Sequence, residues 1–297
     1  MSEWDLIKFV QSRSKPYSIL KQGIGDDTAV LNSHPDEILA TIDTLLDGVH
    51  FIADQTPPEA IGYKSLAVSL SDIAAMGGEA ESALLSLCIP HKASLSWVKK
   101  LCAGAFDLAD RFGVSLCGGD TTSWSGPLVV TTAVYGKPHR KGPVLRSTAK
   151  PGHLICVSGP LGGSLQNRRH LSFKPRLNEA KELLDHCDLS SMIDLSDGMA
   201  SDLQHICSLS QCGASLIKDA IPIHEDVSSR DPNTALEAAM TDGEDFELCF
   251  TLPVEQQDQL SNLSFHCYVI GKLLDQPGMF WDNGEPIKLK GYEHSFG

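Results

Sequence analysis

Apolar and polar positions follow two periods along this chain, and the places where one gives way to the other lay out its elements. Ala60, Ile61, Tyr63, Lys64, Ala67, Leu70 and Ile73 are spaced for burial on one long helix, which Pro57-Pro58 starts and Gly77-Gly78 ends. Residues 94–112 repeat that period, with Trp97, Leu101, Ala105, Leu108 and Ala109 on the inward face. Shorter apolar runs at 37–43, 48–51, 82–89, 114–117 and 128–135 predict strands. Leu6, Ile7, Phe9 and Val10 behind Ser2 predict a short amphipathic helix over 3–13. In the second half, strands are predicted at 153–158, 246–252 and 266–274, and helices at 178–186, 199–210 and 253–263. Strands and helices interleave throughout, which indicates an α/β (α+β) chain. No short-period repeat or low-complexity segment interrupts it.

Length changes this picture by asking for two cores, since 297 residues exceed the roughly 100–200 that one domain holds. The basic, turn-rich stretch from Lys137 to Pro143 is the natural divide, giving predicted domains 1–140 and 141–297. Acids outnumber Lys plus Arg by 38 to 24, a formal charge of −14 that argues against nucleic-acid or anionic-membrane partners. A phosphate ligand would therefore need cations. Nine scattered cysteines without a C-x-x-C pair read as reduced thiols, and no apolar run approaches the roughly 18 residues of a membrane span. Acids near Met1 stand where a signal peptide is basic, so a cytoplasmic protein is expected.

The candidate chemistry lies in acids beside glycines at the ends of apolar segments: Gly25-Asp26-Asp27, Asp43 to His50, Ser71-Asp72, Gly118-Gly119-Asp120, Asp194 to Gly198, and Asp242 to Asp245. Singly, each has an ordinary reading; Ser196 or Asp197 can be the N-cap of the helix at 199, and Asp26-Asp27 can be a surface turn. Together they suggest convergence. Two carboxylates about 4 Å apart repel by about 4 kcal/mol at an effective dielectric constant near 20, so such a cluster calls for cations or protons. Hard oxygen ligands favour Mg2+ over Ca2+ or Mn2+. Zinc spacing, an EF-hand loop, a Walker A sequence and a complete dinucleotide loop are all missing from the sequence. His50, directly after an acid-glycine turn, is either a core histidine or a substrate contact. Arg146 is either a surface arginine or a fork for a phosphate oxygen pair.

These stretches, GIGDDTAV at 23–30, DTLLDGVHF at 43–51, LAVSLSDIAAMG at 66–77, GGDTT at 118–122, DLSDG at 194–198, DGEDFEL at 242–248 and the closing Gly291-Tyr292-Glu293-His294, resemble the thiamine-monophosphate kinases over nearly the whole chain. That family's superfamily includes aminoimidazole-ribonucleotide synthetase, selenophosphate synthetase and a hydrogenase-maturation dehydratase. The resemblance implies ATP-dependent phosphorylation of thiamine monophosphate to the diphosphate by direct in-line transfer. It implies several Mg2+ ions, leaving a monovalent cation open. Metal positions carried over are Asp26, Thr41, Ile42 through its backbone, Asp43, Asp72, Asp120, Asp194 and Asp197; of these, Asp43, Asp72, Asp120 and Asp197 are expected to be catalytic. Gly119, Asp120, Arg146 and Ser196 fall at ATP contacts, and His50, Glu244 and Tyr292 at the thiamine phosphate site. The implied fold is an N-terminal ATP- and metal-binding domain whose mixed sheet pairs into a barrel across a homodimer, followed by a C-terminal α/β domain.

Three features depart from the family pattern: Ile42 beside Asp43, Cys102 where an aromatic residue is usual, and a shortened segment after Gly163. Selenophosphate synthetase is disfavoured because no cysteine precedes Cys88, and the dehydratase because the chain ends without a cysteine. A different class, a non-catalytic nucleotide or Mg2+ regulator on the same scaffold, would bind ATP without turnover.

Overall fold

The computed structural model describes residues 20–22, 26–32, 37–229 and 231–292. Its first half contains β1 (Leu20–Gln22), β2 (Ala29–Asn32), β3 (Glu37–Leu46), α1 (Pro58–Ala75), β4 (Glu79–Pro90), α2 (Leu95–Phe112), β5 (Ser115–Trp124) and β6 (Val129–Lys137). The second half contains β7 (Leu154–Val157), α3 (Leu177–His186), β8 (Ser191–Asp194), α4 (Met199–Leu209), β9 (Gly213–Leu216), α5 (Pro232–Thr241), β10 (Leu248–Leu252), β11 (Tyr268–Leu274) and β12 (Gly278–Trp281). Each half builds one six-stranded sheet, ordered β1-β2-β3-β6-β4-β5 and β12-β9-β11-β7-β10-β8. Both are mixed, because β4 pairs with β5 and β9 with β12 in parallel while the other pairs are antiparallel.

Helix α1 is the element on which the halves meet. Thirteen of its 18 residues are buried, as expected of a helix enclosed on most sides rather than laid on a surface. It packs against α2, β3 and β6 on one side and α3 and β8 on the other. Its backbone nearly touches that of α2: a Cβ on Gly62 would lie 1.8 Å from the Leu101 carbonyl oxygen, and one on Gly104 1.8 Å from that of Glu59. One core runs from α1 through both sheets, with Leu66, Leu70 and Ile73 beside Leu183, Met192 and Phe250. A second lies under α4 and α5, around Leu203, Ile206, Leu236 and Ile270.

Several sequence expectations are corrected. Residues 48–51 form a turn instead of a strand; Gly48 has φ +89°, and the amides of Val49 and His50 both donate to the Leu46 carbonyl, at 3.1 and 3.0 Å. The expected helix at 253–263 is a 3-10 helix, Val254–Asn262. Strand β5 does not stop at Cys117 but runs on through Gly118-Gly119-Asp120, with Cys117 as the extra residue of a bulge against β4. Its polar side chains are exposed at a sheet edge, which is why the apolar pattern ends before the strand does. The N-terminal helix expected at 3–13 lies outside the described residues.

Candidate active site

Strand alternation sorts the residues around Asp43 before any ligand is considered. Thr41 and Asp43 point toward α1, where the Thr41 hydroxyl donates to Asp72 Oδ2 and Ser69 Oγ donates to Asp43 Oδ2 at 2.7 Å. Ile42 lies on the opposite face and is 67% exposed, so a cation near it would meet its carbonyl and not a side-chain ligand. Two residues after Ser69, Ser71 Oγ donates to Asp194 Oδ2 at 2.6 Å, at the end of β8. The polar positions in an otherwise apolar helix therefore hold the acids of both sheets.

Carboxylate oxygens of Asp27, Asp72 and Asp194 lie within 4.8 Å of one another. Burial pushes the carboxyls of Asp72 and Asp194 well above the usual range; the charges of Asp43, Asp194 and Asp27 add to this at Asp72, and that of Asp27 at Asp194. Burial also raises Asp43, while hydrogen bonds from Ser69 and Asp72 pull against it. Asp27 is partly compensated by Arg146, whose Nε donates to Oδ2 at 2.8 Å and whose Nη2 donates to Oδ1. Asp26 instead accepts from the Arg146 backbone amide at 2.7 Å. Asp27 thus joins the cluster, and Asp26, the expected metal position, accepts the Arg146 amide beside it. Arg146 reaches the acids first, so any phosphate it contacts shares it with Asp27.

A cavity of about 310 Å³ opens beside this cluster, and Asp43, His50, Ser196, Asp197, Glu244 and Tyr292 all line it. Nδ1 of His50 accepts from the Leu46 amide at 3.0 Å, which fixes the ring on its turn at the cavity wall. The loop carrying Ser196 and Asp197 is held on three sides. The Glu244 amide donates to the Ser196 carbonyl at 2.7 Å, the Tyr292 amide to the Asp197 carbonyl at 2.8 Å, and Asp202 Oδ2 accepts from the amides of Asp197 and Gly198 at 3.2 and 3.1 Å. Neither Ser196 nor Asp197 caps α4; the cap residue is Gly198, and Asp202 reaches back from the first turn to the amides of Gly198 and Asp197 ahead of it. Asp197, Asp202 and His205 form a second close group of potential ligands.

Gly119 and Asp120 stand apart from this assembly. Register runs from Asp43 to Thr132, Leu85 and Gly119, three strand spacings or about 14 Å across the sheet. Asp120 pairs through Ser86 and Thr131 with Thr44, and so belongs to the face turned away from α1. Within the single chain Asp120 therefore lies three strands from the strand of Asp43 and on the opposite face. Gly119 is required where it is, because a Cβ there would lie 1.8 Å from the Leu85 oxygen.

Residues 25–137 match the family described as AIR synthase related protein, N-terminal domain. The chain is 39% identical over 302 aligned positions to the thiamine-monophosphate kinase of Escherichia coli (strain K12), covering 92% of this chain and 91% of that protein. The chain belongs to the thiamine-monophosphate kinases. Among solved thiamine-monophosphate kinases, AaThiL complexed with AMPPCP and TMP superposes with a TM-score of 0.87 at 26% identity, covering 99% of this chain and 97% of that one. The kinase from Stenotrophomonas maltophilia K279a gives 0.77 at 33% identity, covering 97% and 98%. A two-sheet mixed α/β architecture is thus common to this chain and to thiamine-monophosphate kinases of known structure.

Lys64 and Ser69 are neighbours of the site that sequence reasoning did not single out, while Asp27 and Ser71 stood in its motifs only as the companions of Asp26 and Asp72. The serines had a visible signature, as small polar residues inside an apolar helical run.

Proposed function

We propose that the chain phosphorylates thiamine monophosphate to thiamine diphosphate with ATP, the reaction of its family, in the cavity between Asp43, His50, Asp197 and Glu244. The observation that carries this reading is the convergence of acids from both sheets beside a cavity lined by His50, Glu244 and Tyr292. Tyr292 is about half exposed at the cavity and offers an aromatic face to a heterocycle. The acceptor is a phosphate oxygen, already anionic at neutral pH, so no strong general base is needed and positioning does most of the chemistry. His50 and Glu244 orient the thiamine phosphate, while Ser196 and Arg146 meet the phosphates of ATP. Transfer is direct and in line, without a phosphorylated protein.

Mg2+ fits the residues present. All donors are hard oxygens, the acids are buried together, and among the described residues the buried hydroxyls of Thr28 and Thr132 have no hydrogen-bond partner. Asp27, Asp43, Asp72, Asp194 and Asp197 would hold the ions, with Thr41 and the Ile42 carbonyl as further donors. Bound there, Mg2+ supplies neutralisation of the charge on two phosphate groups brought together.

A homodimer completes the proposal. Among the described residues, helices cover the first sheet on one face only, and Ile42 and Tyr135 are exposed on the other. Among the described strands, β5, ten residues long, is an edge of its sheet. Closure of that face by a second copy, as a barrel, is what would bring Gly119 and Asp120 to a bound nucleotide.

The test is ADP release by purified protein with ATP and Mg2+, comparing thiamine monophosphate, thiamine and buffer. ADP formed only with the monophosphate, together with thiamine diphosphate, is the expected result. ATP binding without such turnover would make the chain a non-catalytic binder.

A further inference from the structure

We propose that Lys64 is a positioning residue for the substrate end of the site, fixing Glu244 as an oriented carboxylate and locking it to the His50 turn. This rests on the reading of Glu244 as a substrate contact and goes beyond it. Lys64 is 0% exposed, on α1, and its ammonium donates to the His50 carbonyl at 2.9 Å and to Glu244 Oε2. Both acceptors belong to residues lining the cavity, one from the turn after β3 and the other from the loop before β10. A lysine with no exposed surface is tolerated only when paired, so the contact is an obligation of the fold and not a loose surface bridge.

What this does to Glu244 follows from how many of its atoms are fixed. Its amide donates to the Ser196 carbonyl at 2.7 Å, and its carbonyl accepts from Ser164 Oγ at 2.6 Å. Its φ of +57° is one that a non-glycine residue keeps only when its surroundings over-determine it. With Oε2 given to Lys64, Oε1 is the carboxylate oxygen left for a ligand, since no described residue hydrogen-bonds to it. Burial raises the Glu244 carboxyl, and the charge and hydrogen bond of Lys64 pull it back toward the ionised form. The nearby His170 is held neutral, its pKa pushed down to about 4 by burial and by Lys64. The Lys64 ammonium thus both orients the Glu244 carboxylate at the cavity wall and favours its charged form.

The reading separates from a purely structural ion pair through kinetics. Lys64→Met should raise KM for thiamine monophosphate by about tenfold or more, with KM for ATP changed by less than about twofold. Lys64→Arg should recover part of that loss. Because Lys64 acts through Glu244, Lys64→Met/Glu244→Gln should show the same KM for thiamine monophosphate as Glu244→Gln alone. An unchanged KM for thiamine monophosphate in folded Lys64→Met, or equal rises in both KM values, overturns the proposal. If Lys64→Met fails to fold, the double variant, which removes both charges, carries the comparison, and a KM well above that of Glu244→Gln overturns it. A Glu244→Gln variant with wild-type KM for thiamine monophosphate would instead remove the substrate reading on which the inference stands.

Discussion

Asp72 carries more like charge around it than any other acid of the cluster, with Asp43, Asp194 and Asp27 all acting on it. Burial comes first and those neighbours second in raising its carboxyl well above the ordinary value. A carboxyl raised on folding stabilises the protein below its unfolded pKa and loses that contribution as pH climbs through the folded pKa. Metal-free protein should therefore melt at a lower temperature at about pH 8 than at about pH 5, and millimolar Mg2+ should restore most of the difference. Asp72→Asn should flatten this profile and raise the metal-free melting temperature, while lowering turnover by about a hundredfold or more. A variant that melts like the wild type across the range would show that Asp72 is not the strained member. At this scale much of the site was legible: Asp43, Asp72 and Asp194 announce themselves as acids in apolar surroundings. Asp27 was not, because it and Asp26 share one motif and only tertiary contacts decide which turns inward. Lys64 stood in the sequence as one more inward position of a helix, with nothing local to mark a partner 180 residues away.

Helix α1 turns those residues into one device. Lys64, Ser69, Ser71 and Asp72 lie on one nine-residue stretch of a rigid element, so the substrate end and the acid cluster keep a fixed separation. Its position is set against α2 by the glycine pair Gly62 and Gly104, each facing a carbonyl at a distance no side chain tolerates. Gly62→Ala should cost about 1–3 kcal/mol by overpacking, read by chemical denaturation, despite alanine's better helix propensity. A stabilised variant would mean the helices can part without loss. The bounds of α1 were readable from its proline start and glycine stop. The turn at 48–51 and the reach of β5 were not, since a four-residue apolar run fits either state and an edge strand keeps polar side chains.

For the whole molecule, assembly turns on the face of the first sheet that the described helices leave uncovered. Ala133 lies on that face between Val130, Thr132 and Val134, which point inward. Light scattering should give about twice 32.1 kDa for the wild type, and Ala133→Glu should give a monomer with little activity. A monomeric wild type with full turnover would remove the dimer from the proposal. Interleaved strands and helices, and with them the fold class, were visible in the sequence; strand order and the open face depend on pairings between distant segments. Those distances also set a timetable for synthesis. A ribosome adding roughly 5–20 residues per second leaves Lys64 waiting about 10–40 seconds for Glu244 to emerge. Until then α1 can be enclosed only around an ammonium whose partner is the neutral His50 carbonyl and whose counter-charge is missing, so the first half of the nascent chain has reason to stay loosely packed until the second half arrives.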